Sequence, residues 1–319
     1  MLVLGANLAT DRTLRMHRLA PGYVQRPYAA EGTAGGKAVN VCRAATCLGV
    51  RPRLVANLPG RLGAAVGDLL RAEGHDVRAV PTSGEIRAAI IIIEDDDRVT
   101  VLNEPGPPLR GTDLDALIEA FTEEAARHRV GVAGGSLPPA APTELYGILV
   151  GRARAAGCRL IIDAARDVLR AALQAGPDLV VPNLSEAQSV LAGEFGVTDE
   201  PVEALGGDVR AAALTAAAGL CSAGARSALV TAGRFGVAAV SADDRFWVAA
   251  PEVDEQNPIG AGDSFAAGLA IALERGADLR TATRQAVATA SASVADPVAG
   301  RLDPGLAAAL LADLKAEDC

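Results

Sequence analysis

The chain has 319 residues, half of them apolar, and a formal charge of −9, which suits a soluble globular protein with a large core. Its 30 basic residues are scattered rather than clustered, which excludes a general nucleic-acid or membrane-surface binder. No apolar run is long enough to span a bilayer, and MLVLGANLATDR opens the chain without a charged leader and apolar stretch. The cysteines (Cys42, Cys47, Cys158, Cys221 and Cys319) form no C-x-x-C pair, so reduced thiols in the cytoplasm are expected.

From the N terminus, short β-branched runs alternate with Ala/Leu-rich segments of helical length. Strands are expected at LVLGAN, RLVANL, RVGVAGG, RLIIDAA, DLVVPN and SALVTAG, and helices at 37–48, 64–72, 113–126, 143–155, 202–222 and 261–273. Nearly continuous apolar strands separated by helices describe an α/β protein, with a mostly parallel sheet covered on both faces. Segments 12–32 and 87–105 break the alternation and read as hairpins outside the main sheet, with Ile91 and Ile93 expected to be exposed there. The run EDDDR lacks calcium-loop spacing and reads as a solvated turn. Without a repeat or long linker, one compact domain over 1–319 with a small β appendage is expected.

The stretch NPIGAGDSF places glycines and an alanine just before Asp263 at a helix start. Backbone N–H groups and the positive helix end converge there, as an anion site requires. A carboxylate beside an anion hole is electrostatically unfavourable unless it takes a proton from whatever attacks the phosphorus, which makes it a general base for phosphoryl transfer. An ordinary helix start with an acidic first turn is the alternative reading of these residues alone. In AGGKAVN, Lys37 is one of only two lysines, the other being Lys315. A compact ammonium beside two glycines suits a ligand, and Asn40 projects one turn further along the same helix. The neighbouring EGTAGGKAV fails as a P-loop, having Glu31 in place of the first glycine and Ala38 in place of Ser or Thr. No G-x-G-x-x-G follows the first strand, Ser136 lacks the second glycine of a nucleophile elbow, and the three histidines are isolated, so dehydrogenase, hydrolase and metallohydrolase readings are unsupported.

Together AGGKAVNVCRAATCLG and NPIGAGDSFAAGLA resemble the two signatures of the PfkB, or ribokinase-like, carbohydrate kinases. Between them SGEIRAAIII, VLNEPGPPL, GGSLPP, VVPNLSEA and VTAGRFG follow the order of the phosphofructokinase and tagatose-6-phosphate kinase branch. The resemblance implies a ribokinase-like three-layer fold with a small β-sheet lid, here 12–32 and 87–105. It also implies Asp263 as the base, with the Gly260, Ala261 and Gly262 amides as the anion hole. The acceptor sugar is implied near Asp11, Gly36, Lys37, Asn40 and Ser136, and Lys37 and Arg87 supply charge for a phosphate already on it. ATP is implied at Asn183, Thr231 and Gly233, and Mg2+ at Glu186 through water. Alone, Asp11 and Ser136 read as a turn residue and a loop hydrogen-bonder, and PNLSEA reads as a helix cap.

Three departures from the branch pattern stand out. Val181 occupies a frequent lysine position, Ala38 a glycine position expected beside the sugar, and Leu8 a proline position after the first strand. The leading expectation is ATP-dependent phosphorylation of a phosphorylated hexose, with fructose 1-phosphate, fructose 6-phosphate and tagatose 6-phosphate as candidates. A kinase of a free sugar or nucleoside, and a non-catalytic sugar-phosphate sensor, are the alternatives. A homodimer formed through the lid, without nucleic-acid or membrane partners, is also implied.

Overall fold

The computed structural model describes residues 1–96, 98–193 and 208–319. The chain begins with β1 (Leu2–Gly5), β2 (Ala9–Met16) and β3 (Ala29–Gly35), then α1 (Lys37–Cys47), β4 (Arg53–Pro59), α2 (Gly60–Ala72) and β5 (Asp76–Thr82). Next come β6 (Arg87–Glu94), β7 (Val99–Asn103), α3 (Thr112–Ala125), β8 (Val130–Gly134), α4 (Leu145–Ala155), β9 (Arg159–Asp163) and α5 (Arg166–Gln174). The middle of the chain holds β10 (Leu179–Val180), α6 (Leu184–Ala192), α7 (Val209–Ser222), β11 (Ser227–Thr231), β12 (Gly236–Ser241) and β13 (Arg245–Ala249). The last elements are α8 (Ala261–Glu274), α9 (Leu279–Val294), α10 (Pro304–Asp313) and β14 (Glu317–Asp318).

The larger sheet has the order β14-β13-β12-β11-β10-β9-β8-β1-β4-β5. Pairing is parallel from β5 to β11 and antiparallel from β11 to β14. Its strands are apolar because both faces are covered. Val3, Ile161 and Leu229 face a core shared with α1, α2, α8, α9 and α10, while Leu2, Leu4, Ile162 and Val230 face one shared with α3 to α7. Strand order reverses at β1, which lies between β4 and β8. In open α/β sheets the crevice beyond the carboxyl ends of the strands at such a reversal is where ligands bind.

The two segments that broke the alternation form a separate sheet, β3-β2-β6-β7. Each is an antiparallel hairpin, and the parallel β2–β6 pair joins them. Ile91 and Ile93 are half-buried rather than exposed, because β6 is an inner strand; exposed apolar side chains are found on the edge strand β7, at Val99, Val101 and Leu102, and in the β2–β3 connection, at Tyr23, Val24 and Tyr28. The expected helix 202–222 is found as Val209–Ser222 with Asp208 as its N-cap, and 202–207 lie outside the described residues, as does Asp97 of the EDDDR run.

Candidate active site

The carboxyl edge of the main sheet collects the residues singled out in the sequence. Beyond β1, the Asn7 side chain donates to the Ser136 hydroxyl beyond β8 at 3.3 Å and to the Pro105 carbonyl at 3.3 Å, so it spans the reversal point. Gly135, at φ 84°, gives the Lys37 stem a surface to lie on, about 3.7 Å from where a Cβ would stand. The fully buried Tyr146 donates to the Gly134 carbonyl at 2.7 Å and fixes that turn.

Lys37 opens α1 after Gly36, whose φ of 106° favours glycine. Its ammonium reaches both oxygens of the buried Asp163, at 3.0 and 3.2 Å. Burial works against the lysine's charge, but Asp163, Asp263 and Glu186 outweigh it and hold the pKa above the usual lysine value. One turn on, Asn40 donates to Asp263 Oδ2 at 2.8 Å, linking α1 to α8. Asn40 also lies against Gly300, where a Cβ would stand 2.8 Å from its Cα.

Asp263 occupies the first turn of α8, whose N-cap Gly260 has φ 84° and supplies no side-chain cap. Helix α6, by contrast, is closed by a capping box in which Asn183 Oδ1 accepts from the Glu186 amide at 2.8 Å and Glu186 Oε2 accepts from the Asn183 amide at 2.9 Å. The helix-cap reading of PNLSEA is therefore correct for these contacts. At α8 the Ala261 amide donates to the Pro258 carbonyl at 3.3 Å, the positive helix end still favours an anion, and Gly262 has open space where a side chain would be. Asp263 is only 5% exposed, and burial pushes its carboxyl up to about 7; Lys37 opposes the shift, Asp163 adds to it, and the Asn40 hydrogen bond opposes it.

A cleft of about 870 Å³ runs from this turn to the β11–β12 connection. It is lined by Thr231, Gly233, Ala261 and Gly262, and by Phe235 and Val287, which the sequence did not single out. Asn183 stands beside it, bridged to Thr231. The volume and the mostly apolar walls suit a nucleotide base and sugar, with the α8 start placed for phosphates.

The small sheet carries Asp11 and Arg87. The Asp11 carboxylate occupies the space where Gly35 would carry a Cβ, about 2.0 Å from it. Burial raises the Asp11 pKa, and Arg87 and Arg43 oppose the rise. The half-buried Arg87 donates to the carbonyls of Asn7 at 3.1 Å and Glu104 at 3.4 Å. Among the described residues no carboxylate is hydrogen-bonded to it, which leaves its remaining donors for an anion.

The departures have structural answers. Ala38 and Val181 are buried in the core cluster. Leu8 is buried against the Cβ positions of Gly5 and Gly36. Asp163, Asn7 and Tyr146 were not anticipated as site residues. A carboxylate ending the apolar strand RLIID was the available signal for Asp163.

The pfkB family carbohydrate kinase model matches residues 2–304. The chain is 31% identical over 311 residues to a 1-phosphofructokinase of Xanthomonas campestris pv. campestris, covering 93% of this chain and 92% of that one. It is 32% identical over 307 residues to the 1-phosphofructokinase of Haloferax volcanii, covering 96% and 94%. A structure of phosphofructokinase-2 from Escherichia coli in complex with potassium superposes with a TM-score of 0.85 at 25% identity over 98% of both chains. A ribokinase from Thermotoga maritima superposes at 0.74 with 17% identity over 98% of this chain and 99% of that one, and shows the same fold. The protein thus has the ribokinase-like fold, belongs to the pfkB family of carbohydrate kinases, and is an ATP-dependent sugar kinase.

Proposed function

We propose that the chain transfers the γ-phosphoryl group of ATP to a hydroxyl of a phosphorylated hexose, with Asp263 as general base. Fructose 1-phosphate, fructose 6-phosphate and tagatose 6-phosphate are the candidate acceptors. The observation that carries this reading is a buried carboxylate titrating near 7 directly behind an uncapped glycine turn. A base works best when its pKa lies near the operating pH. The acceptor hydroxyl gives its proton to Asp263 while its oxygen attacks the γ-phosphorus. The bond from that phosphorus to the bridging oxygen breaks, and ADP leaves. Amides of Gly260, Ala261 and Gly262 receive the charge on the transferred group.

Lys37 and Asn40 hold Asp263 between a positive charge and a hydrogen-bond donor. Gly36, Asp11 and Ser136 border the acceptor, and Arg87 receives the phosphate already on it. The names of the curated relatives and the neighbour solved with fructose-6-phosphate support an acceptor of this class. Asn183, Thr231 and Gly233 border the nucleotide. A magnesium ion at this site would take most of its ligands from phosphate and water. Glu186 would hold it through water. Bound there, magnesium would neutralise phosphate charge.

The four-stranded sheet acts, on this reading, as a lid within one domain spanning 1–319. Opposed residues of paired strands share a face. The face with Asp11 and Arg87 therefore continues outward through Ile91, Ile93, Val99 and Val101, an apolar surface suited to the same sheet of a second copy. Free cysteines fit a cytoplasmic setting. A coupled assay of ADP release with the three sugar phosphates, free sugars and nucleosides tests the assignment. Turnover of at least one sugar phosphate, well above every free sugar, is expected; turnover of free sugars alone would overturn the acceptor class.

A further inference from the structure

The β9–α5 turn, residues 163–166, stands between the two turns that carry Ser136 and Asn183. Asp163 is in register with Gly134 on one side, and on the other the Val181 amide donates to the Ile162 carbonyl at 3.0 Å. Here the site is rich in negative charge. Asp163, Asp263 and Glu186 surround one lysine, whose ammonium is already bonded to both Asp163 oxygens. Val181 is buried and apolar. A nucleoside triphosphate laid from Asn183 to the α8 start would pass these carboxylates with little to balance its own charge.

Arg166 ends this turn and opens α5. It is exposed, and among the described residues no hydrogen bond or ion pair engages its guanidinium. Its backbone is left-handed, with φ 55°, one of only two non-glycine residues so placed among the described residues. Glycine would adopt that conformation without strain. The fold thus carries a strained residue whose side chain makes no hydrogen bond or ion pair among the described residues, a pattern found at functional sites.

We propose that Arg166 is a phosphate-binding residue for the nucleotide donor, its guanidinium pairing with β- and γ-phosphate oxygens beside the Lys37–Asp163 pair. Its planar fork suits two phosphate oxygens at once. This proposal rests on the kinase reading of the same site.

Arg166→Gly fits the left-handed backbone, so the variant should fold with a thermal midpoint equal to or above that of the wild type. In the full chain, with sugar phosphate saturating, its KM for ATP should rise roughly tenfold to a hundredfold, the loss typical of a charge-assisted hydrogen bond. The KM for sugar phosphate should stay within about twofold, and Arg166→Lys should recover part of the ATP affinity by keeping the charge. An unchanged KM for ATP in Arg166→Gly, or a rise confined to the sugar phosphate, would overturn the proposal. Calorimetric binding of ADP and a non-hydrolysable ATP analogue judges it without turnover. If the wild type phosphorylates no sugar phosphate, the kinase reading of the acceptor falls, while equal nucleotide affinity in wild type and Arg166→Gly would sink the role of Arg166 by itself.

Discussion

In the ten-stranded sheet Leu2, Val3 and Leu4 are fully buried, alternating between two helix-covered faces, whereas on the edge of the four-stranded sheet Val99 and Val101 are 47% and 43% exposed. One sheet finds its packing partners within the chain, and the other leaves apolar side chains of its edge strand exposed. The difference extends to the site. Asp263, Asn40 and Lys37 stand on helix starts whose backbones are fixed by a packed core, with Gly300 pressed against Asn40. Asp11 and Arg87 stand on the paired strands β2 and β6 of the small sheet. On the proposed function, chemistry belongs to the edge of the main sheet and acceptor recognition to the small sheet. Substitutions on the first should change kcat, and those on the second should change selectivity and KM.

The largest effect belongs to Asp263→Asn, which keeps the shape and removes the proton acceptor. Turnover should fall about 10²–10⁴-fold with substrate KM values little changed; near-wild-type turnover in a folded variant would remove the base assignment. The same carboxyl gives a pH signature. Its folded pKa is raised from 3.8 to about 7, so the folded state holds the proton more tightly than the unfolded one. The stability this group contributes is therefore complete below pH 3.8 and is lost as pH rises through about 7. At pH 8 Asp263→Asn should melt at a higher temperature than the wild type, and at pH 3.5 that gain should vanish. The wild-type kcat/KM should decline below about pH 7 as the base becomes protonated. A melting temperature that is lower than wild type at pH 8 would show that Lys37 and Asn40 stabilise the carboxylate more than burial disfavours it.

Next in size is Arg87→Ala. Loss of a charge-assisted contact of about 1.5–3 kcal/mol corresponds to roughly one to two decades in kcat/KM for phosphorylated acceptors. Free sugars should react in the variant as they do in the wild type. An equal loss on both classes would mean that Arg87 serves mainly to tie Asn7 to the 104–105 segment through its carbonyl contacts, and the division between chemistry and recognition would lose its clearest support.

How much of this was legible in the sequence follows the same division. Runs such as RLIID and SALVT announce a buried parallel sheet because both faces are apolar, and the six strands named from sequence are all present. The antiparallel extension from β12 to β14, strand β5 and the helices α5, α6, α9 and α10 were not named. Strand β14 has two residues, and α9, LRTATRQAVATASASV, buries Ala, Ser and Thr that carry almost no hydrophobic signal. Glycine motifs gave the turns before Lys37 and Asp263 because backbone conformation there depends on glycine. Asp163 and Asn7 escaped because their roles depend on partners more than a hundred residues away, Lys37 and Ser136. No local pattern encodes such a contact. Arg166 escaped for a related reason, since its left-handed backbone is visible only in the fold.

The smallest effect on turnover is expected at the exposed face of the small sheet. Val101 pairs with Ile91 on β6 and shares its face with Ile93 and Val99, so a second copy of the sheet could bury all four side chains. Val101→Asp would place a charge with no partner in that interface, which costs about 3–5 kcal/mol when truly buried and is enough to dissociate a micromolar dimer. Because Val101 lies outward of Asp11 and Arg87, kcat should remain near the wild-type value. The KM for sugar phosphate should rise only modestly, to the extent that pairing holds the sheet over the acceptor. Light scattering at micromolar concentration, run beside the kinetics, separates the cases. A dimeric wild type and monomeric Val101→Asp support pairing through this face. A monomeric wild type, or a variant that dimerises unchanged, would show that the apolar face is covered by closure onto the chain's own body, and the contrast between the two sheets would then be one of mobility alone.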